Sequence, residues 1–302
     1  MHSFATTAAL LLGSMAGRAL AATAVIPADV PFATPWVAVK VPADYVGDDD
    51  DATNATEIAE LRRRDIRGAL PVRALAIEHK FQPVLDFDKD GCYYTSAIDP
   101  NGNRNPGLGP GQGVPPNCLR STCRDPNRLQ NSNVYSRARC NNGWCAIMYE
   151  YYFEKDQVVC GSFVGGHRHD WENIVVFVRD NQVKRVAPSC HAEYKKATNS
   201  PRLEGQSAKV VYHKDGARTH CFRWATAADD KIENYTGKWF HGKLVGWLGW
   251  PSVGLRDKAM KPYDGPNAKL PDGLFKEYLG RAAGDQVPGF KPDVDGPIPN
   301  WA

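Results

Sequence analysis

Four short runs, WCAIMYEYYF, NIVVFV, AKVVYH and THCFRWA, are rich in Val, Ile, Tyr, Phe and Trp and are separated by stretches dense in Gly, Pro, Asn and Asp. Runs of roughly five to ten residues with this composition read as strands, because β-branched and aromatic side chains fit a pleated, half-buried surface. Helical periodicity is scarce; DGLFKEYLGRA, from Asp272 to Ala282, is the best example. The stretch from Asp99 to Asn117 reads as a long Gly/Pro/Asn loop. No internal repeat is apparent. With 302 residues, 42% of them hydrophobic, the chain can bury a sizeable core, and the pattern predicts a mostly β fold: an antiparallel two-sheet β-sandwich with peripheral helices.

The first 21 residues combine an apolar stretch from Ala8 to Leu12 with small residues at Ala19 and Ala21, as in a secretory leader cleaved after Ala21. Arg18 interrupts the run, and no stretch of about 20 apolar residues follows, so a membrane-spanning helix is not expected. Residues 22–76 hold an acidic run, Asp48 to Asp51, and a basic one, Arg62 to Arg64, and read as a solvated arm or pro-segment. A surface helix from Asn54 to Arg64 is the other reading. Residues 77–302 are left as the folded domain. Eight cysteines, Cys92, Cys118, Cys123, Cys140, Cys145, Cys160, Cys190 and Cys221, follow the leader; an even number in an exported chain favours disulfides over zinc, despite two C-x4-C spacings. Sequons at Asn54 and Asn234 agree with export. A net charge of +3 and the lack of a basic stripe interleaved with aromatics argue against a nucleic-acid partner.

The segment GGHRHDWENIVVFV gathers ionisable groups at the entrance to a strand. Alternation puts Asp170 and Glu172 on one face, about 7 Å apart, and His169 and Trp171 on the other. His167 arrives from the Gly165–Gly166 hinge. Buried carboxylates without partners are costly, and a cation resolves their mutual repulsion; hard oxygen ligands suit Ca²⁺ or Mg²⁺. Two other readings stay open on the residues alone. One is a zinc hydrolase using His167 and His169 with Glu172 as base, although neither H-E-x-x-H nor a clear third ligand is present. The other is a salt-bridge network with Arg168. A Ser-His-Asp triad lacks its G-x-S-x-G elbow. Asp86, Asp88, Asp90 and Gly91 match half of an EF loop, but Ala97 stands where the bidentate Glu belongs, so DFDKDG reads as a turn.

GHRHDWE, Gly166 to Glu172, is identical to the heptapeptide of the necrosis- and ethylene-inducing peptide-like proteins, and the similarity continues through DGCYYTSAI, CRDPNRLQNSNVYSR, NGWCAIMYEYYFEKD, YHKDGARTHCFR and DGPNAKLPDGLF. From about residue 77 to about 283 the chain thus resembles these secreted cytolysins of plant-associated microbes. The resemblance implies a sandwich like that of actinoporins and fungal lectins, with a divalent cation, Ca²⁺ or Mg²⁺, in a cleft at one end. Asp156 and Asp170 would be direct ligands, with His167 and Glu172 in the site partly through water. Gly166, Arg168, His169 and Trp171 would support it, His169 as a buttress. It further implies a non-enzymatic, extracellular protein, expected to be monomeric. That protein would bind glycosyl inositol phosphoryl ceramides of plant plasma membranes and damage the membrane. Plant immune receptors would detect the segment Ala146 to Asp156.

The resemblance maps the disulfide of simple members to Cys92–Cys123, with Cys140–Cys145 as a second; the pairing of Cys118, Cys160, Cys190 and Cys221 stays open. Two departures stand out. The loop from Asp156 to Gly166 is longer than in well-known members and holds Cys160, and Ala192 and Glu193 replace two glycines after His191. Both bear on the cleft and leave a non-lytic, lectin-like or defence-eliciting member of the same fold as the alternative function.

Overall fold

The run from Trp144 to Asp156 is buried at every position, which a strand achieves only when both faces of its sheet are covered. The computed structural model, which describes residues 66–109, 122–158 and 165–301, shows how. The leader at 1–21, the arm up to residue 65 with its sequon at Asn54, Cys118, Cys160 and the middle of the loop after Asp156 lie outside the described residues. The strands are β1 (Val84–Phe87), β2 (Asn133–Asn141), β3 (Trp144–Asp156), β4 (His167–Arg179), β5 (Gln182–Pro188), β6 (Leu203–Glu204), β7 (Ser207–Lys214), β8 (His220–Trp224) and β9 (Lys243–Gly246). The helices are α1 (Ala76–Lys80), α2 (Pro126–Gln130), α3 (Val253–Ala259) and α4 (Asp272–Ala283). None is long and apolar enough to cross a membrane.

One sheet runs β5-β4-β3-β2-β9; in the other, β7 pairs with β1, β6 and β8. Most pairings are antiparallel, as the alternating runs predict, but β1–β7 and β2–β9 are parallel. Both sheets are therefore mixed. Between them lies one core, where Tyr149, Tyr151 and Phe153 of β3 and Ile174, Val176 and Val178 of β4 meet Val210, Tyr212 and Phe222. Phe153 stacks on Tyr212 with ring centroids 4.0 Å apart, and Tyr151 meets Phe222 edge-on at 5.1 Å. Such pairs contribute about 0.5–1.5 kcal/mol beyond their buried area. The opposite face of β3 and β4, with Met148, Tyr152, Trp171, Val175 and Phe177, is covered by Ala259 of α3 and Phe275 and Leu279 of α4. This second core explains why β3 has no polar face.

Residues 66–75, the end of the supposed arm, are tied to the sandwich. Leu70 is buried and its amide donates to Asn133 Oδ1 at 2.7 Å, while Arg73 bridges to Val245 of β9. Packed chain thus begins ahead of residue 77. Disulfides join Cys92 to Cys123, Cys140 to Cys145 and Cys190 to Cys221.

The sequon at Asn234 is closed by the fold. Its side-chain amide donates to Asp86 Oδ1 and to Lys238 O, each at 2.8 Å, and the residue is 5% exposed. Intact-mass analysis of secreted, folded protein should find no glycan at Asn234. Asn234→Ala should cost about 1–3 kcal/mol in urea denaturation, because it strips a buried carboxylate of a partner.

A candidate cation site at the end of the sandwich

β5 pairs with β4 only from Ile174 onward, so the His167–Glu172 half of β4 runs beyond the end of its neighbour. The two glycines before it set the entry. Gly165 and Gly166 have φ of 75° and 89°, and a Cβ at residue 166 would lie 2.3 Å from Asp156 O and 2.8 Å from Gln157 Cα. Only glycine permits this approach, which lets His167 pair in register with Asp156. A cavity of about 110 Å³ results, lined on this side by Asp156, His167, Asp170 and Glu172 and on the other by His191, Ala192, Thr219 and His220. Asp156, His167, Asp170 and Glu172 are thus brought to one cleft.

The other heptapeptide residues build its wall. His169 adopts φ 58° within the strand, buries its ring against Tyr263 at 4.1 Å, and shares a 2.6 Å hydrogen bond with Tyr152 Oη. Burial, reinforced by Arg168 and Arg104, pushes its pKa down to about 4, so it is neutral. Trp171 packs on Tyr152 and Tyr135, and Arg168 donates to Pro106 O. The left-handed kink separates the two histidines: His169 turns into the aromatic wall while His167 faces the cleft. The two histidines, read from the residues as sharing a strand face, therefore do not both line the cleft.

Electrostatically the cleft is unresolved by protein alone. Asp170 is 3% exposed and its Oδ2 makes no hydrogen bond of full geometry; the protein group facing its carboxylate is the Tyr212 hydroxyl, which is itself short of a well-formed bond. Burial and then Asp156 raise its pKa to about 7. Burial and Asp170 hold Glu172 well above the usual carboxylate range, although Ser189 Oγ donates to it. Behind them, Glu150 is pushed up to about 8 by burial, against the pull of Lys269. Asp156 is better served: its carboxylate accepts from the Gln157 and His220 amides, and His220 Nδ1 lies 3.1 Å away. Its Oδ2 accepts only the His220 amide, leaving a lone pair for a ligand. Crowded carboxylate oxygens, one of them short of a well-formed hydrogen bond, fit a hard divalent cation.

His220 was missed as a site residue by sequence reasoning, although it lies in the quoted block YHKDGARTHCFR. Its Nε2 is 3.2 Å from Asp90 Oδ1. Burial disfavours its charge, but Asp156 and Asp90 outweigh burial and raise the pKa to about 9. The half EF motif is dispersed, as a turn requires: Asp86 accepts from Glu233 and Asn234, Asp88 lies 3.8 Å from Arg223, and Asp90 reaches His220. Beside the cleft, Cys190, His191, Asp215 and Cys221 have potential ligand atoms within 4.8 Å of one another. The two sulfurs are bonded together, so only His191 and Asp215 retain donors.

The two-sheet sandwich with a polar cleft at one end places the chain in a class of fold shared with solved structures. A solved structure described as a toxin fold as basis for microbial attack and plant defense matches with TM-score 0.59 and 28% identity, over 72% of this chain and 97% of that one. The chain belongs to the Necrosis inducing protein (NPP1) family, whose profile matches residues 76–282. Necrosis-inducing protein NPP1 of Phytophthora nicotianae is 39% identical over 140 residues, 44% of this chain and 54% of that protein. NLP effector protein 10 of Phytophthora capsici is 35% identical over 157 residues, 50% of this chain and 62% of that one. The chain therefore spans between half and two thirds of these curated relatives. NLPPya in complex with glucosamine is 28% identical, with TM-score 0.58 over 72% of this chain and 96% of that one.

Proposed function

We propose that the protein is an exported, cation-dependent membrane-damaging protein that binds sugar headgroups of plant plasma-membrane sphingolipids, the glycosyl inositol phosphoryl ceramides. The observation that carries this reading is the convergence of Asp156, His167, Asp170 and Glu172 on one cleft, with Asp170 Oδ2 short of a well-formed hydrogen bond. Asp156 and Asp170 would hold Ca²⁺ or Mg²⁺ directly, with His167 and Glu172 around it; the cation would orient sugar hydroxyls. The family membership and the glucosamine complex of NLPPya support the choice of a sugar. Binding rather than covalent chemistry suffices for this action.

Leakage from vesicles carrying plant glycosyl inositol phosphoryl ceramides tests the proposal. Dye release is expected with micromolar protein and Ca²⁺ or Mg²⁺, and none with excess chelator or with vesicles lacking the glycolipid. Absence of release at every cation concentration would remove the lytic claim.

A non-lytic reading rests on Ala192 in the cleft wall, where with Glu193 it replaces a pair of glycines; a structure described as the non-toxic HaNLP3 protein shares the fold at 27% identity and TM-score 0.54, over 72% of this chain and 97% of that one. Glycolipid binding without leakage would select it. In either case Ala146–Asp156 is buried in β3, so an immune receptor reads that segment only once it is released from the sheet.

A further inference from the structure

We infer that the disulfide Cys190–Cys221 is a clamp that fixes the rim of the cation cleft, so that these two cysteines are positioning residues of the site. The inference rests on the cleft being the binding site proposed above. Among the described disulfides, this one joins the two sheets: Cys190 follows β5 and Cys221 lies in β8. Cys140–Cys145, by contrast, links directly paired residues of β2 and β3.

The residues flanking both half-cystines line the cleft: His191 and Ala192 after Cys190, Thr219 and His220 before Cys221. On the first side the backbone is under strain. His191 and Ala192 have φ of 54° and 63°, and reciprocal backbone hydrogen bonds of 2.8 and 3.1 Å between Cys190 and Glu193 close the turn around them. Tight turns with positive φ at both central positions favour Asn-Gly, because a Cβ crowds the left-handed conformation. Here neither residue is glycine. The disulfide at Cys190 anchors the base of the turn, while Asp215, bonded to Lys196 at 2.9 Å, lies 3.3 Å from His191 Nε2 without forming a hydrogen bond to it. On the second side, the bond fixes β8 directly beside His220, whose amide and ring both hold Asp156.

One bond thus places a rim turn and the histidine that orients an expected ligand. The sheets do not need it to stay together: the Phe222 amide donates to Ser189 O at 3.0 Å, and Ser189 in turn pairs with Asn173 of β4. Cutting the disulfide should therefore loosen the rim while leaving the sandwich folded.

The test compares the full chain with C190S/C221S and C140S/C145S, using Ca²⁺ alone as probe in isothermal titration calorimetry and following backbone amides by hydrogen exchange. C190S/C221S should bind Ca²⁺ at least about tenfold more weakly, with exchange at 189–194 and 219–222 about tenfold faster and β3 unchanged. C140S/C145S should bind normally. Adding Ala192→Gly to C190S/C221S should restore most of the affinity, since glycine adopts the turn unforced; a general loss of stability would not be rescued this way. Unchanged affinity and unchanged local exchange in C190S/C221S would overturn the clamp. Faster local exchange in a protein whose parent binds no Ca²⁺ would uphold the clamp and overturn the cation reading instead. Should C190S/C221S not fold, partial reduction of the native chain with alkylation mapping decides. Molecules opened at Cys190 and Cys221 should be those that lose Ca²⁺, and retention of Ca²⁺ by them would overturn the clamp.

Discussion

Asp170→Asn is expected to weaken Ca²⁺ binding at least about 100-fold, roughly 2.7 kcal/mol, and to raise the melting temperature of the cation-free protein. The two effects have opposite signs for one reason. The Asp170 carboxylate is 3% exposed, its Oδ2 is short of a well-formed hydrogen bond, and Asp156 and Glu172 crowd it. Without a cation its charge costs stability; with one, the same charge is the ligand. Asparagine keeps the shape, removes the repulsion and gives up the charge that binds. Calorimetric Ca²⁺ titration and thermal melts in chelator measure the two sides. A carboxylate that merely braced the fold would lose stability on substitution without a selective loss of Ca²⁺. Unchanged Ca²⁺ affinity would mean that the cleft does not hold the ion through Asp170.

In chelator, the protein should become less stable as pH rises from about 5 to about 8, and saturating Ca²⁺ should cancel much of that loss. The sign follows from proton counting. Asp170 keeps its proton in the fold up to about 7 and Glu150 up to about 8, and Glu172 is also raised. The unfolded chain releases those protons near the ordinary values of 3.8 and 4.5. Between those values and the folded ones the native state binds more protons, so stability falls by about 1.4 kcal/mol per pH unit for each such group. It is fully present below the unfolded values and lost as pH passes the folded ones. His220, raised to about 9 by Asp156 and Asp90 against burial, pulls in the same direction above its ordinary 6.5. Lys269 opposes the trend at Glu150, and His169 and His213, which burial lowers to about 4, oppose it up to their ordinary 6.5, so the fall is steepest above that pH. Ca²⁺ displaces protons from Asp170 and Glu172, so its apparent affinity should rise with pH and its binding should release protons. Urea midpoints at pH 5 and 7.5, with and without Ca²⁺, decide the matter; a chelated protein more stable at pH 7.5 would refute the assignment.

Much of the fold was legible because strands are marked locally. The runs beginning at Trp144, Asn173 and Ala208 fall in β3, β4 and β7, the run from Thr219 to Ala225 overruns β8 by one residue at each end, and DGLFKEYLGRA lies within α4. The parallel pairings of β1 with β7 and β2 with β9 were not legible, since a short strand carries no mark of its partner's direction. At the site, the heptapeptide announced Asp170, Glu172 and His167. It gave no sign that His169 would adopt a left-handed backbone, because that conformation depends on Tyr152, Tyr263 and the absent side chain of Gly107, where a Cβ would lie 2.5 Å from the ring.

By itself, the sequence determined the strand-rich chain, the glycine hinge and the concentration of carboxylates at the mouth of β4, all of them properties of neighbours along the backbone. Tertiary structure alone decided that His220, 64 residues from Asp156, would grip that carboxylate. It alone decided that Cys190 and Cys221 would span the sheets beside the cleft, and that Asp170 would be buried with an oxygen short of a well-formed hydrogen bond. The reason is physical: charge is written residue by residue, but burial and pairing exist only after distant strands have packed.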